Sequence, residues 1–263
     1  MLKKLLKYDL KYMIKSMIIF YVLAVFFAVL TRIFFSLKQT VMIDIIGQVC
    51  VGTMFSMIAS TLINTLMRSW VRFKDSIFGD ESYLTHTLPV SKNNIYQSRF
   101  LITFFYLLIG LGVVLLSLFI VYYTPERWAM LKLLLTGISG TLNISTLALV
   151  LTFIIIIFLE LLYSIQAGFL GLILGHKKNN NKIAYSVLFG FITYILSQVL
   201  VVISLLLLGI FNKDIMLLFT TNTINNIDAL KTIVAFAIAI YIGINIAINY
   251  IAVKSLNKGV NIE

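Results

Sequence analysis

The sequence is poor in charge, cysteine and proline. Only 12% of its 263 residues are Asp, Glu, Lys or Arg, whereas about a quarter of the residues in a soluble domain are charged, so an ordinary soluble domain is excluded. Its one cysteine, Cys50, stands in an apolar run, and neither a disulfide framework nor a cysteine metal cluster can form within one chain. Because Pro89 and Pro125 both fall between apolar runs, no membrane span is predicted to kink at proline.

Motifs of nucleotide and metal chemistry are also missing. The chain has no GxxxxGK[ST] loop to cradle nucleotide phosphates and no HExxH pair of zinc ligands. Its two histidines, His86 and His176, lie outside the predicted spans. Only Arg32 and Glu160 are ionisable at membrane depth, which argues against a proton relay. An intramembrane enzyme is therefore the least favoured class of function.

Long apolar blocks dominate the chain instead. Hydrophobic residues make up 60% of it, and each block can supply the roughly 20 helical residues that a hydrocarbon core requires. The short alternating segments of a transmembrane barrel do not occur. We predict an all-α, polytopic membrane protein, with residues 1–263 in a single transmembrane domain. Its six spans are predicted at about 17–36, 42–67, 100–123, 142–174, 183–211 and 233–253.

Residues 2–15 are predicted to form an interfacial amphipathic helix before the first span. Its lysines would reach anionic headgroups from one side of the helix, or they would serve only to orient the chain. The two faces of this helix comprise Leu2, Leu5, Leu6, Leu10 and Met13 on the apolar side and Lys4, Lys7, Lys11 and Lys15 on the other.

The formal net charge of +11 is explained by membrane orientation rather than by nucleic-acid binding. Lysine and arginine collect in cytoplasmic loops. With both termini on one side of the membrane, that side receives most of the 21 basic residues. The bias predicts six spans with both termini in the cytoplasm, and it places residues 73–99 in the cytoplasm as well.

Residues 73–99 form the longest polar interruption of the chain. Gly79 breaks the preceding helix, Asp80 is a good N-cap for a short helix over residues 81–88, and Pro89 ends it. Ser91 then caps the helix that leads into the third span. A rigid, capped helix joined to a span can transmit a push, although the same pattern also fits a loop helix that only orders the turn.

The loop and the start of the next span carry a distinctive set of residues, namely Glu81, Leu84, Thr85, Thr87, Leu88, Pro89, Val90, Ser91, Lys92, Ser98, Arg99, Phe100 and Leu101. This pattern resembles the cytoplasmic loop of ABC-2-type transporter permeases. The resemblance implies that residues 80–92 form a cytoplasmic coupling helix, which receives force from a separate ATP-binding subunit. The implied coupling residues are Asp80, Glu81, Ser82, Tyr83, Leu84, Thr85, His86, Thr87, Leu88, Pro89, Val90, Ser91 and Lys92.

The resemblance also implies partners and a location. The chain would pair with a second permease, identical or related, in a bacterial plasma membrane, and ATP and Mg²⁺ would bind the partner ATPase. It would have no catalytic residues or cofactor of its own. Cargo would be a peptide, antibiotic or lipid-like amphiphile, and a composition rich in Ile, Lys and Asn suggests antimicrobial-peptide export or immunity. One departure is the link at residues 212–228, which is short for the paired re-entrant helices of some family members.

The alternative from another class is a membrane sensor or assembly module that transports nothing. Its cytoplasmic loop would dock a regulator instead of an ATPase. Co-purification of an ATP-binding subunit would distinguish the two functions.

Polar and small residues recur at helical spacing within three spans. Such stripes are typical of helix packing, and the alternative is that they line a substrate path. A lone carboxylate at membrane depth needs a partner, and Arg32 is the only cation within a span that could pair with Glu160. The three stripes are Gln48, Gly52, Ser56, Ser60 and Asn64; Glu160, Ser164, Gly168, Gly171 and Gly175; and Tyr241, Asn245 and Asn249.

Overall fold

The structure is a computed structural model that describes residues 2–37, 40–87, 89–220 and 226–259. No strand occurs among these residues, and the predicted all-α class is confirmed. The described chain contains nine helices: α1 (Leu2–Ser36), α2 (Val41–Ile77), α3 (Ser82–Thr87), α4 (Lys92–Tyr122), α5 (Pro125–Thr141), α6 (Thr146–Gly175), α7 (Lys182–Phe211), α8 (Lys213–Thr220) and α9 (Ile227–Asn257).

Within the described ranges, six helices are long and apolar enough to cross a membrane, namely α1, α2, α4, α6, α7 and α9. This number agrees with the number of predicted spans. Even the 30 residues of α6 extend about 45 Å at 1.5 Å per residue. Since a hydrocarbon core is roughly 30 Å thick, each of these helices must tilt or project beyond it.

The first helix differs from the prediction. Residues 2–15 are not a separate helix, because α1 continues without interruption from Leu2 to Ser36. The sequence around Ser16 contains no glycine or proline that would end a helix. The inward face also differs, since Asp9, Met13 and Met17 are buried while Leu10 is exposed. A position in the headgroup layer stays a prediction.

Two helices were not predicted. No helix was predicted between the spans at about 100–123 and 142–174, yet the chain is helical throughout residues 125–141. Thr124 precedes this helix and caps it, because its hydroxyl accepts from the Arg127 backbone N–H at 3.2 Å. The second unpredicted helix, α8, lies in the link at residues 212–228.

The chain divides into two compact units. Unit 1 consists of Met1–Asp75 and Tyr83–Leu131, and unit 2 consists of Ser76–Ser82 and Lys132–Glu263. The chain therefore passes from unit 1 to unit 2 and back within the polar loop at residues 73–99, and it passes to unit 2 again within α5.

In unit 1, α1 packs along α4 and against α2. Small side chains on α1, Ala24 and Ala28, are fully buried beside Met54 of α2 and Val121 of α4. Small residues let helix backbones approach closely, which is a main source of helix association in lipid. Nearer the N-terminus, the Tyr106 hydroxyl of α4 donates to the backbone carbonyl of Leu10 at 2.9 Å.

In unit 2, α6 and α7 form a tightly packed hairpin. A methyl group on Gly171 would lie 2.5 Å from the Cα of Gly190, and one on Gly175 would collide with Ser186. The C-terminal end of the predicted stripe on α6, at Gly171 and Gly175, is therefore a packing face. The short α8 folds back onto α7, with a side-chain atom of Phe219 3.5 Å from the position of a methyl group on Gly209.

This packing predicts that Gly171→Ala destabilises the protein. Overpacking of this kind typically costs about 1–3 kcal/mol, because the added methyl must push two helix backbones apart. Gly243→Ala is a matched control, since Gly243 also lies in an apolar helix but has open space around it. Thermal unfolding in detergent should show a lower midpoint for Gly171→Ala only. Equal midpoints for the two variants would contradict the close approach.

Candidate functional site

The polar loop at residues 73–99 contains the predicted short helix, with narrower bounds. The helix α3 begins at Ser82, whose backbone N–H donates to the Gly79 carbonyl at 2.8 Å. The N-cap predicted at Asp80 is therefore one residue too early. The predicted cap at Ser91 is confirmed, because its hydroxyl accepts from the Asn94 backbone N–H at 3.3 Å.

The helix α3 has two large side chains that the chain leaves exposed. Tyr83 is 79% exposed and Leu84 is 73% exposed, whereas Ser82 and Thr85 on the other side of the helix are buried. The remaining predicted coupling residues surround this pair. Asp80, Glu81, Thr87, Pro89 and Ser91 are exposed, Val90 and Lys92 are half-buried, and Leu88 and the side chain of His86 lie outside the described part of the chain.

The segment before α3 is anchored within unit 2. Phe78 is fully buried and stacks on the ring of His176, with 4.1 Å between the ring centroids. His176 caps the C-terminus of α6, and its Nδ1 lies 2.8 Å from the Leu172 carbonyl. In the same basic turn, burial and the nearby Lys258 lower the pKa of Lys177.

A buried carboxylate ties the helices of unit 1 together next to the loop. Asp9 of α1 is 1% exposed. It pairs with Arg72 of α2 at 3.1 Å and with Arg99 of α4, and it accepts a hydrogen bond from the Ser98 hydroxyl at 3.2 Å. The Arg72 guanidinium also lies 4.4 Å from the ring centroid of Tyr12.

The sequence analysis missed this ion cluster. It counted Arg72 only among the charges that orient the chain, took Arg99 also as part of the permease resemblance, and gave Asp9 no role. One signal was available, because Asp9 lies four residues before Met13 and eight before Met17, a spacing that places the three on one helix face. An acid on the buried face of a basic helix indicates a charge partner.

A second polar cluster lies at membrane depth in unit 2. Its centre is Glu160 of α6, whose Oε1 accepts from the Tyr194 hydroxyl at 2.7 Å and from Gln198 Nε2 at 3.0 Å. The Tyr241 hydroxyl of α9 donates to Gln198 Oε1 at 3.2 Å. The carboxylate therefore has neutral donors from α7 within its own unit, and pairing with Arg32 stays a prediction.

Buried amides extend this cluster along α6 and α9. Gln166 Nε2 donates to Asn245 Oδ1 at 2.9 Å, and Asn245 Nδ2 donates to the Tyr241 carbonyl at 2.8 Å. Gln166 Oε1 is buried and has no hydrogen-bond donor among the described residues. The Ser164 hydroxyl only donates to the Glu160 carbonyl, one turn earlier in α6, at 2.9 Å. The network thus joins three helices through polar contacts as well as through close packing.

The predicted stripe on α2 does not pack within the chain along its first half. Gln48, Gly52 and Ser56 are exposed, and Ser60 and Asn64 are half-buried. The packed face of α2 is instead formed by Met54, Ile58, Thr61, Thr65 and Ser69. Contact with a second chain and a role in a substrate path both stay predictions for the exposed stripe.

No family model, curated protein or solved structure matches this chain. The resemblance to ABC-2-type permeases therefore stays an expectation from the sequence. The features of the chain that bear on its function are the exposed loop, the buried ion cluster and the polar cluster around Glu160.

The ion cluster predicts that Asp9→Asn strongly destabilises the protein. Removing one partner of a buried ion pair typically costs about 3–5 kcal/mol, because the remaining charges are left buried without compensation. Asp44→Asn is the control, since Asp44 is exposed and such substitutions usually change stability by less than about 0.5 kcal/mol. Denaturant unfolding in detergent would measure both. Equal stability of the two variants would show that the cluster contributes nothing.

The membrane cluster predicts that Glu160→Leu and Glu160→Gln differ. Leucine leaves the Tyr194 hydroxyl and the Gln198 amide without their acceptor, at a cost of about 1 kcal/mol. Glutamine keeps an acceptor oxygen and should leave stability unchanged. Unfolding midpoints in detergent test this difference. Equal destabilisation by both variants would indicate that the negative charge itself is required, for instance to pair with Arg32.

Proposed function

We propose that this chain is the membrane-spanning subunit of an ATP-driven bacterial exporter of the ABC-2 type. A separate ATP-binding subunit docks on α3, hydrolyses ATP and moves the spans. The observation that carries the proposal is the exposure of Tyr83 and Leu84 on a short helix in the polar loop between α2 and α4. The resemblance of the surrounding sequence to permease coupling loops supports the same function.

The surface of α3 has the chemistry of a protein-docking site. Tyrosine is enriched among the residues that contribute most to binding at interfaces, and Tyr83 stands beside the apolar Leu84. The exposed carboxylates of Asp80 and Glu81 lie at the start of the helix. A partner with an apolar pocket and a basic rim would fit this arrangement.

In the proposed mechanism, the buried ion cluster centred on Asp9 transmits a movement of α3 to the helices of unit 1. The ion cluster centred on Asp9 ties the loop-proximal part of α2, at Arg72, and of α4, at Arg99, to α1. Because these contacts are buried, solvent screens them less than a surface ion pair. Movement of the loop would therefore displace the three helices together.

The segment before α3 would transmit the same movement to unit 2. Ser76–Ser82 belongs to that unit, and Phe78 is held against His176 at the turn between α6 and α7. In the proposed mechanism, one docking event at α3 would act on both units through the polypeptide itself.

The polar cluster around Glu160 in unit 2 and, separately, the exposed stripe on α2 in unit 1 are each proposed to contact substrate. Polar and ionisable side chains within membrane segments commonly mark a path for a substrate or an ion. A peptide, antibiotic or lipid-like amphiphile would be the substrate, and a second permease would pair with this chain. In this proposal the chain lies in the plasma membrane with both termini in the cytoplasm, the lysines at the start of α1 lie among the headgroups, and ATP and Mg²⁺ bind to the ATPase.

The proposal predicts that Tyr83→Ala weakens binding of the ATP-binding subunit by about tenfold or more. Tyr8→Ala is a matched control, because Tyr8 is 71% exposed and an even number of spans separates it from the loop. The tagged chain would be purified from its native membranes and co-purifying subunits identified by mass spectrometry. ATP hydrolysis by the purified complex would then be measured for both variants.

A complex that contains a phosphate-binding-loop ATPase and loses it only with Tyr83→Ala would support the proposal. If no ATPase accompanies the unsubstituted chain, or if both variants retain it equally, the proposal is wrong. A regulator captured in place of an ATPase would instead favour the sensor or assembly module.

A further inference from the structure

We propose that α1 and α4 form a binding site for one anionic phospholipid within unit 1. An acyl chain of the lipid would lie in an apolar groove between the two helices, and its phosphate would lie among three lysines nearer the N-terminus of α1. The site requires only that both helices cross a membrane, for which they are long and apolar enough. It therefore does not rest on the exporter proposal.

The groove between α1 and α4 has an apolar lining and a volume of about 410 Å³. The one polar group on its lining side chains, the Tyr21 hydroxyl, donates to the Tyr106 carbonyl of α4 at 3.4 Å. Such a wall suits an acyl chain, because a polar ligand would find no partner to replace its hydrogen bonds with water. The lining residues are Tyr21, Val22, Val25, Phe26 and Val113.

The face of α1 that lines the groove also carries lysines. Residues on this face recur at three- and four-residue spacing, so their side chains point the same way. The row consists of Lys7, Lys11, Ile14, Ile18, Val22 and Val25. All of these except the half-buried Val25 are exposed, as is Lys15 beside the row. Because α1 is one unbroken helix from Leu2 to Ser36, the cationic and apolar parts form a continuous surface.

The three lysines Lys7, Lys11 and Lys15 have no carboxylate partner among the described residues. Asp9, the only acid of α1, is buried and paired with arginines. It lies on the opposite side of the helix from Lys11, since two residues correspond to about 200° of rotation. A lipid phosphate would supply the counter-charge, and basic residues beside a span commonly attract anionic lipid.

The spacing along α1 matches the depth of one leaflet. Tyr21 follows Lys15 by six residues and Phe26 follows it by eleven, so the groove begins about 9 Å and ends about 16 Å from Lys15 along the helix. One leaflet supplies about half of a hydrocarbon core of roughly 30 Å. A phospholipid with its phosphate at Lys15 would therefore have its acyl chain level with the groove.

Native mass spectrometry of the full-length chain would test the choice of lipid. The protein in detergent would be titrated with phosphatidylglycerol or with phosphatidylcholine that carries the same acyl chains, so that only the headgroup differs. We expect one phosphatidylglycerol to bind several-fold more tightly than phosphatidylcholine. Equal binding of the two lipids, or binding of neither, would overturn the proposal. A dimer without lipid would also overturn it, because a second copy would then cover the groove.

The role of the lysines would be tested with Lys11→Gln combined with Lys15→Gln. The matched control combines Arg68→Gln with Lys258→Gln, which also removes two exposed cations and changes the net charge equally. Each basic residue near a membrane surface contributes about fivefold to the attraction of anionic lipid. We therefore expect the lysine pair to lose most of the preference for phosphatidylglycerol and the control to keep it. Equal losses would show a diffuse attraction without a site and would overturn the proposal.

The role of the groove would be tested with Val22→Trp, whose indole would fill the space for an acyl chain. Ile19→Trp is the matched control, since both positions are 58% exposed on α1 and only Val22 lines the groove. We expect Val22→Trp alone to weaken binding of both lipids several-fold. Val22→Phe is a smaller change that keeps the test available if the tryptophan variant does not fold.

Unchanged lipid binding by the Val22 variants would overturn the proposal, because the groove would then contribute nothing. Soluble glycerol phosphate provides the last comparison, since it carries the phosphate without acyl chains. We expect it to leave phosphatidylglycerol bound at concentrations at which added phosphatidylglycerol competes. Equal competition by glycerol phosphate would show that the lysines bind a phosphate alone, and this result would also overturn the proposal.

Discussion

The carboxylate of Asp9 imposes the strongest constraint on unit 1. A charge with 1% exposure is expensive to bury without compensation, and here two arginines and a serine hydroxyl from two other helices supply it. The requirement brings α1, α2 and α4 together immediately beside the polar loop. These three helices also pack through alanine and methionine side chains, and the ion cluster aligns them at one end by charge. The exposed α3 lies in the loop that joins the aligned ends of α2 and α4.

Unit 2 is held together by a different kind of contact. In lipid the hydrophobic effect contributes little to helix association, so close packing and hydrogen bonds have to replace it. The Gly171–Gly190 approach supplies the first, and the bonds of Glu160 to Tyr194 and Gln198 supply the second. The two are about three turns apart on α6. Close packing defines the hairpin near its turn, while the polar contacts also engage α9 further into the membrane.

The spans could be predicted because each apolar block is long enough to be recognised as a membrane span from its composition alone. The Ser91 cap was equally local, since one side chain and one nearby backbone N–H decide it. Asp9 was missed because its role depends on arginines 63 and 90 residues away, and α5 was missed because its apolar residues lie among Glu126, Arg127 and Lys132. For the α2 stripe, spacing identified a helix face but could not tell whether that face points inward or outward.

The exposed stripe on α2 bears on whether a second chain packs against this helix. Gln48 and Ser56 are exposed on a helix apolar enough to cross a membrane, yet the Ser56 hydroxyl donates within α2, to the Gly52 carbonyl at 3.0 Å. A serine satisfied by its own helix tolerates lipid, whereas a glutamine amide has donors and acceptors that a single helix backbone does not satisfy. Gln48 is therefore the residue of the stripe for which a neighbouring chain, or a hydrated path, matters most. The proposed second permease would provide either one.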